Sequence, residues 1–541
     1  KRWPGTPNRG DAAIVKTMER RLRTSESLVA GVSAMLVATA VLGLAHLVQA
    51  SFPFPPLGLA QRVLRLVPGP LAVFFIERLG HWALRLFAAG FTVGSILAGG
   101  VAGVVVARRS ATASARAGAA WLVGGLLAAA ALAGYRAQPG APSLLVYGAV
   151  VGVAGIVYAS VLRGALGRLE RDPVPGPATG LGRTRRELLR ALAGAGALLA
   201  TGLVVRRLTG GFGDPGGRPL ARPAGAAPVR PAKGGGAGTD AGAFLAIRGL
   251  TPEVTPNRLH YTVDESIIDP DVDEGSWRLR VGGLVGRPLE LGYGELLAMP
   301  AVEQHVTLQC ISNFVGGDLV GTAKWTGVPL REVLERAGGV SPRAVRVVFH
   351  AVGGYADSLP VAKALDPATV VAYGMNDRSL PRAHGYPARI IAPGIYGMKN
   401  VKWLQRIEVV DYDYRGYWQR SDGWDNIAEI KTASRIDVPG ELTVVHGEAA
   451  VAGVAWAGDR GIRLVEVSLD GGRTWAEAIL RRELAPAAWR QWRLPWRPSG
   501  SGRVVLRVRA TDGRGALQIV QEKPPHPSGS SGYHEVDVIT G

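Results

Sequence analysis

The only cysteine among 541 residues, Cys310, stands at the end of the apolar run Val306-Thr307-Leu308-Gln309. That run reads as a strand and Ile311-Ser312-Asn313 as the loop after it, a usual place for a site residue. A lone cysteine is more often a small buried hydrophobe. This one is followed by segments rich in Arg, Lys and His at loop positions, which favours a ligand. As a ligand it would supply a soft thiolate, deprotonated outright on binding a metal. Three downstream segments add chemistry. Ala372-Tyr373-Gly374-Met375-Asn376 offers a phenol, and His384-Gly385-Tyr386-Pro387-Ala388-Arg389 an imidazole and a guanidinium. Gly397-Met398-Lys399-Asn400-Val401-Lys402 sets two ammonium groups beside a glycine. Glycine lets main chain approach a ligand closely, free N–H groups and cations hold a phosphate, and Arg389 can bind one bidentately.

A single cysteine excludes an intrachain disulfide, a c-type haem attachment motif, a cysteine-ligated iron–sulfur cluster and a multi-cysteine zinc site. A redox centre in this chain must use Cys310, histidines or a borrowed cofactor. The stretch from Glu303 through Trp325 to Leu334 (EQHVTLQCISN…AKWTGVPLREVL) resembles the molybdenum-cofactor domain of the sulfite oxidase family. The three downstream segments, in the same order, resemble that family's tyrosine-bearing, pterin-binding and cofactor-closing segments. The hairpin Val465–Trp475, with its Asp470-Gly471-Gly472 turn, resembles the family's C-terminal immunoglobulin-like dimerisation domain.

The resemblance implies a mono-pterin molybdenum–molybdopterin cofactor with Cys310 as metal ligand. It also implies two-electron oxygen-atom transfer, with Tyr373 hydrogen-bonding the transferring oxygen. Asn257, Tyr261, Asp264, Glu265, Asn313, His384, Arg389, Gly397, Met398, Lys399 and Lys402 fall on its cofactor-binding segments. The pocket departs from the pattern at two places. Val263 stands where a sulfite-binding arginine is expected, and Asn313 leads to Phe314-Val315 where another is expected. Two lost cations, with Asp264 and Glu265 added, suit a less charged oxo-donor or oxo-acceptor better than a dianion. Arg258 is the residue that could compensate. A sulfite dehydrogenase and a sulfoxide-type reductase fed by membrane quinol are the alternatives within the fold. A non-catalytic tethered binding protein is the alternative of another class.

These residues need elements to position them. Trp277–Val281, Ala344–Phe349 and Ala388–Ala392 read as strands and Leu330–Ala337 as a helix, an α+β domain over 244–430. From 431 to 541 short alternating runs separated by turn signals read as a β-sandwich. Upstream, apolar runs at about 28–50, 82–107, 119–135, 143–162 and 188–205 are apolar on all faces and rich in Gly and Ala. Each is near the ~20 residues needed to span a bilayer. The chain is therefore read as multidomain. A basic N-terminus (1–27) precedes an all-α transmembrane bundle of five helices (28–205), a Gly/Pro-rich tether (206–243) and the two soluble domains.

The net charge of +19 is concentrated beside the apolar runs, with no basic–aromatic stripe, so nucleic acid is not the partner. By the positive-inside rule Arg108-Arg109 and the 163–190 segment lie in the cytoplasm and the soluble domains outside it. Partners are then the lipid bilayer, a small oxo substrate, a quinone or separate electron-transfer protein, and a second copy through the C-terminal domain. Thr184-Arg185-Arg186-Glu187-Leu188-Leu189-Arg190 resembles a twin-arginine export signal, and plain positive-inside charge explains it equally. Phe52–Pro56 and Leu59–Val67 fit an interfacial element or a plain loop. His46 and His81 would permit haem b, but helix-end histidines more often sit in the polar interface.

Overall fold

The computed structural model describes residues 9–48, 54, 55, 59, 60, 63, 75, 82–110, 112–133, 143–171, 217–220, 227, 228, 241–264 and 269–541. They fall into two compact units. Outside the described residues lie the fifth apolar run with its twin-arginine-like entry, His81, the side chain of His46, most of the 51–81 loop, and Glu265.

The first unit is helical, with α1 (Arg9–Val48), α2 (Trp82–Arg109), α3 (Ala113–Ala133) and α4 (Leu144–Arg171). Among the described residues four apolar spans of 19 to 24 residues are long enough to cross a membrane. At 1.5 Å per residue such spans match a hydrocarbon core of ~30 Å. α1 runs on through the basic N-terminal segment, so that element is longer than its span. Small residues let the helices meet closely. A Cβ on Gly31 would stand 2.4 Å from the Gly99 carbonyl oxygen, and one on Gly124 would stand 2.5 Å from that of Gly155. The Tyr158 hydroxyl, buried in this core, donates to Gly99 O at 3.0 Å.

The second unit holds four sheets among its described residues. Its first part is built from β1 (Ala227–Pro228), β2 (Arg278–Gly283), β3 (Leu289–Gly292), β4 (Val302–Gln309), β5 (Val320–Pro329) and β6 (Arg346–Ala351). β7 (Ala356–Pro360), β8 (Val370–Met375), β9 (Arg378–Ser379), β10 (Arg389–Ile391) and β11 (Leu404–Val410) complete it. One sheet runs β1-β4-β5-β8-β10 with β9 on β8, and the other β3-β2-β11-β6-β7. Residues of both sheets, including Leu279, Phe349, Val371, Ile390 and Ile407, share one apolar core. β8, covered on both faces, is buried at every position and carries no alternation to read.

The remaining strands are β12 (Ala433–Val438), β13 (Val444–Val445), β14 (Ala449–Trp456), β15 (Ile462–Ser468), β16 (Ala476–Glu477), β17 (Ile479–Leu480), β18 (Arg490–Trp496), β19 (Gly502–Asp512) and β20 (His534–Thr540). They form a sandwich of β12-β14-β18-β17 on β13-β20-β19-β15-β16. Its core includes Ile436, Val451, Val465, Trp492, Leu506 and Val538. β15 pairs antiparallel with β16 across the Asp-Gly-Gly turn. There the Asp470 carboxylate accepts from Arg473 N and Thr474 N, each at 2.9 Å.

The segment read as a free tether is docked at two places. β1 pairs parallel with β4 at Val302 and Glu303. Arg218 and Ser379 exchange hydrogen bonds, Arg218 N donating to Ser379 Oγ (2.9 Å) and Ser379 N to Arg218 O (2.8 Å). Main-chain pairing of this kind depends little on side-chain type, so composition did not disclose it.

Candidate functional site

Cys310 continues the β4 ladder, its N–H donating to Leu319 O at 2.9 Å. The chain then turns through 311–319, and Asn313 closes the turn. Its N–H donates to Cys310 O (3.1 Å) and its Oδ1 accepts from Leu319 N (2.9 Å). The sandwich holds this strand and loop from outside. Thr307 N donates to Ala487 O (2.8 Å), Trp489 N to Thr307 Oγ1 (2.7 Å) and Trp456 Nε1 to Gln309 Oε1 (2.9 Å). Arg435 Nη1 donates to Gly317 O (2.8 Å) and Ser530 Oγ to Asn313 O (2.7 Å).

The Cys310 thiol opens into a cavity of about 950 Å³, its open mouth included. Burial raises the thiol's pKa, while the Ser312 hydroxyl, 3.0 Å from Sγ, and the main chain of Ser312 and Ile311 lower it. Of the residues expected at the site, Tyr261, Asp264, Cys310, His384, Arg389, Gly397, Met398 and Lys402 line this cavity. Gly397 must lack a side chain, because a Cβ there would stand 2.5 Å from Tyr261 Oη.

The polar groups of the cavity are tightly held. Arg389 lies over the Trp325 ring at 5.1 Å and donates from Nη1 to His384 O and from Nη2 to Asn400 O, each at 3.0 Å. Its buried Nε has no partner. Burial lowers its pKa to about 10, which leaves it charged at neutral pH. Lys402 donates to Ala383 O (2.9 Å), pairs with the Asp264 carboxylate and sits 4.4 Å from the Trp403 ring. His384 Nε2 donates to Asn257 O (2.9 Å), and burial holds its pKa well below the usual value. His260, edge-on to it at 5.4 Å, is likewise held to about 4 by burial. Both imidazoles are neutral at physiological pH.

Four expected residues do not line the cavity. Asn313 folds the loop as described. Asn257 supports His384 from behind, its Oδ1 accepting from Asn376 Nδ2 at 2.6 Å. Lys399 is fully buried and bonded to Asp357 Oδ1 at 2.8 Å, so its ammonium is turned away from any cavity phosphate. Tyr373, on β8, is packed into the apolar core. Beside Tyr261, a second and unforeseen phenol lines the cavity, that of Tyr355, whose Oη donates to Met398 O at 2.7 Å. The available signal was Gly353-Gly354, both at positive φ, a turn that sets an aromatic at the start of β7. Trp418 and Trp424 also line the cavity, while Phe314 and Arg258 are exposed and do not.

A thiol, a buried guanidinium with one unpartnered N–H and neutral imidazoles around one cavity fit a metal–pterin group bearing a phosphate. Comparison with known proteins agrees. Residues 266–418 match the oxidoreductase molybdopterin binding domain and residues 425–518 the Mo-co oxidoreductase dimerisation domain. The chain is 34% identical over 307 residues to mitochondrial sulfite oxidase of Homo sapiens, covering 48% of this chain and 56% of that one. It is 30% identical over 279 residues to sulfite oxidase of Arabidopsis thaliana, covering 42% of this chain and 71% of that one. It thus spans little more than half the length of the animal relative. Among solved structures, the sulfane dehydrogenase SoxCD of Paracoccus pantotrophus aligns at 24% identity and a TM-score of 0.47, over 53% of this chain and 81% of that one. By its matched domains and these relatives, the chain belongs to the sulfite oxidase family of molybdopterin-dependent oxidoreductases.

Proposed function

We propose that this protein is a membrane-anchored, extracytoplasmic oxidoreductase whose substrate is a small oxo-donor or oxo-acceptor of low charge. The supporting observation is the state of the cavity's cations. Arg389 and Lys402 are already bonded to carbonyls and to Asp264. The cavity wall otherwise includes Val263, Ile311, Met398, Trp418 and Trp424. A dianion would have to be taken up without a free arginine fork, and apolar side chains cannot replace one.

When bound, the cofactor supplies two-electron oxygen-atom chemistry. Cys310 would hold its metal, while Arg389 Nε, Lys402 and His384 would hold the pterin and its phosphate. Tyr355 rather than Tyr373 would meet the substrate oxygen, and the tryptophans would exclude water. The apolar helices would anchor the chain with the positive side inside, and the C-terminal domain would pair two copies. Electrons would pass to a quinone or a separate electron-transfer protein. A sulfite dehydrogenase is the second reading, favoured by the names of the relatives.

Steady-state kinetics of the molybdenum-loaded protein on sulfite and on dimethyl sulfoxide separate the two. Loss of two arginine contacts, at ~1.5–3 kcal/mol each, should weaken sulfite capture by about two to four decades. A sulfite kcat/KM within the usual efficient range of ~10⁴–10⁸ M⁻¹s⁻¹ would overturn the low-charge reading.

A further inference from the structure

Behind the cavity wall lies an ion pair that the reading above leaves without a task. Asp357 and Lys399 are both fully buried and meet at 2.8 Å. Lys399 Nζ donates to Asp357 Oδ1, to Ser358 O (3.1 Å) and to Asn426 Oδ1 (3.1 Å), one acceptor for each proton of an ammonium. Asp357 Oδ1 also accepts from Ser358 N at 2.7 Å. Its Oδ2 accepts from Gln419 Nε2 at 3.3 Å and stands 3.4 Å from Tyr355 Oη. Tyr355 therefore has two acceptors in reach, Met398 O at 2.7 Å and the carboxylate. A buried pair is weak evidence for stability, since apolar residues of like volume often serve as well or better. Its place behind the Tyr355 phenol gives another reason for it.

Oxidation of a substrate X by water, X + H₂O → XO + 2H⁺ + 2e⁻, sends its electrons through the bound cofactor to an external one-electron acceptor. The protons need acceptors too, and most groups lining the cavity are poor ones. Burial holds the pKa of His260 to about 4 and that of His384 well below its usual value. Arg389 stays charged, and Asp264 is tied to Lys402. The charged and titratable groups around the pair are Arg346 and Asp425, which act on Lys399. Beyond them are Tyr414, whose carbonyl accepts from Ser358 Oγ, and Asp413, bonded to Asn426 and Arg346.

We propose that Asp357, anchored by Lys399, is the positioning partner of Tyr355. The phenol turns from Met398 O and, as it takes one of the two protons of the water whose oxygen is transferred, passes its own to Asp357 Oδ2; the second proton goes to water in the cavity. The carboxyl returns its proton to the phenol when Tyr355 next gives one up to water in the cavity. In the reductive direction the same proton runs the other way. The inference rests on the oxidoreductase reading of the cavity.

The test uses the molybdenum-loaded full chain, the single variant Asp357→Asn and the double variant Asp357→Leu/Lys399→Met. The single variant leaves Lys399 buried and unpaired, so it can fail to fold. The double variant removes both charges and is the one that decides. Metal content and thermal midpoint are read first. Molybdenum at wild-type level with an unchanged midpoint sets aside a merely structural role. Infrared difference spectra between reduced and oxidised protein should show a protonated-carboxyl band in wild type that is missing from the double variant. With dimethyl sulfoxide and reduced methyl viologen, or sulfite and ferricyanide, kcat should fall ~10–100-fold at nearly unchanged KM. The pH profile should also shift. Wild-type kcat, pH profile and carboxyl band in the double variant overturn the proposal. Wild-type protein that holds no molybdenum overturns the reading beneath it, and the proposal with it.

Discussion

Replacing Arg389 with alanine should destabilise the protein even when no cofactor is present. The guanidinium donates to His384 O and Asn400 O, both at 3.0 Å, and so ties together the two loops that carry His384 and Lys402. Net of desolvation, a hydrogen bond from a charged group contributes roughly 1.5–3 kcal/mol. Two bonds make about 3–6 kcal/mol, with about 0.5–2 kcal/mol more from the charge over the Trp325 ring. The alternative is that Arg389 waits only for the phosphate. Removing a desolvated charge would then leave the cofactor-free protein unchanged or more stable. Thermal or urea unfolding of cofactor-free protein distinguishes the two. At about 2–4 °C per kcal/mol, a combined deficit of about 3.5–8 kcal/mol lowers the midpoint by roughly 7–32 °C. Arg389→Lys should recover part of this, since an ammonium can serve one carbonyl but not fork to both. A cofactor-free Arg389→Ala protein that melts with wild type would refute the reasoning, whatever became of its cofactor content.

Cys310→Ser should fold, because the volumes are close, yet the molybdenum X-ray absorption spectrum should lose one sulfur neighbour while the pterin's own sulfurs remain; an unchanged spectrum removes Cys310 as ligand. Gly397→Ala should displace Tyr261, whose hydroxyl would stand 2.5 Å from the new Cβ, and molybdopterin retention under limiting supply should fall; full retention counts against the close approach. His260 and His534 are both held to about 4 by burial, and His384 lower than its usual range. Below pH 6.5 the unfolded chain takes up protons that the folded one refuses, so stability should fall as pH drops towards 4, by roughly 3 kcal/mol for each histidine so shifted. A melting temperature flat from pH 7 to 5 would contradict this. An epitope placed after Gly541 should be reached by antibody on right-side-out vesicles; recognition only on inverted ones reverses the proposed orientation.

Cys310 was legible in the sequence because its setting is local: an apolar strand, then a polar turn. His384, Arg389 and Lys402 were placed on the cavity because their segments resemble the family's pterin-binding and cofactor-closing segments, and the structure sets all three in its lining. Tyr373 and Tyr355 were not separable by such reasoning. Both stand by glycines at a strand, and which one meets a cavity depends on how two sheets pack. Lys399 looked like Lys402, three residues on, until the fold brought up Asp357 from 42 residues away in the chain. The sandwich followed from alternation and turn signals, which report burial directly; the two-layer core before it did not, since a strand such as β8 is buried at every position. The docked pieces of the tether left no such mark, since most of their bonds are made by the tether's own main chain.

The grip of the sandwich on the strand and loop of Cys310 bears on how these domains can be inherited. A boundary near residue 430 separates two folds but cuts through the contacts that hold the metal-binding turn. A chimera that takes its C-terminal domain from a relative would have to bring equivalents of Arg435, Trp456, Ala487, Trp489 and Ser530 in register with the recipient's loop. A graft lacking them would leave Gly317 O and Asn313 O without their donors and the Cys310 turn free to open. Recombination between family members should therefore succeed when both domains travel together and fail when they are parted. The pair, though two folds, behaves as one heritable part.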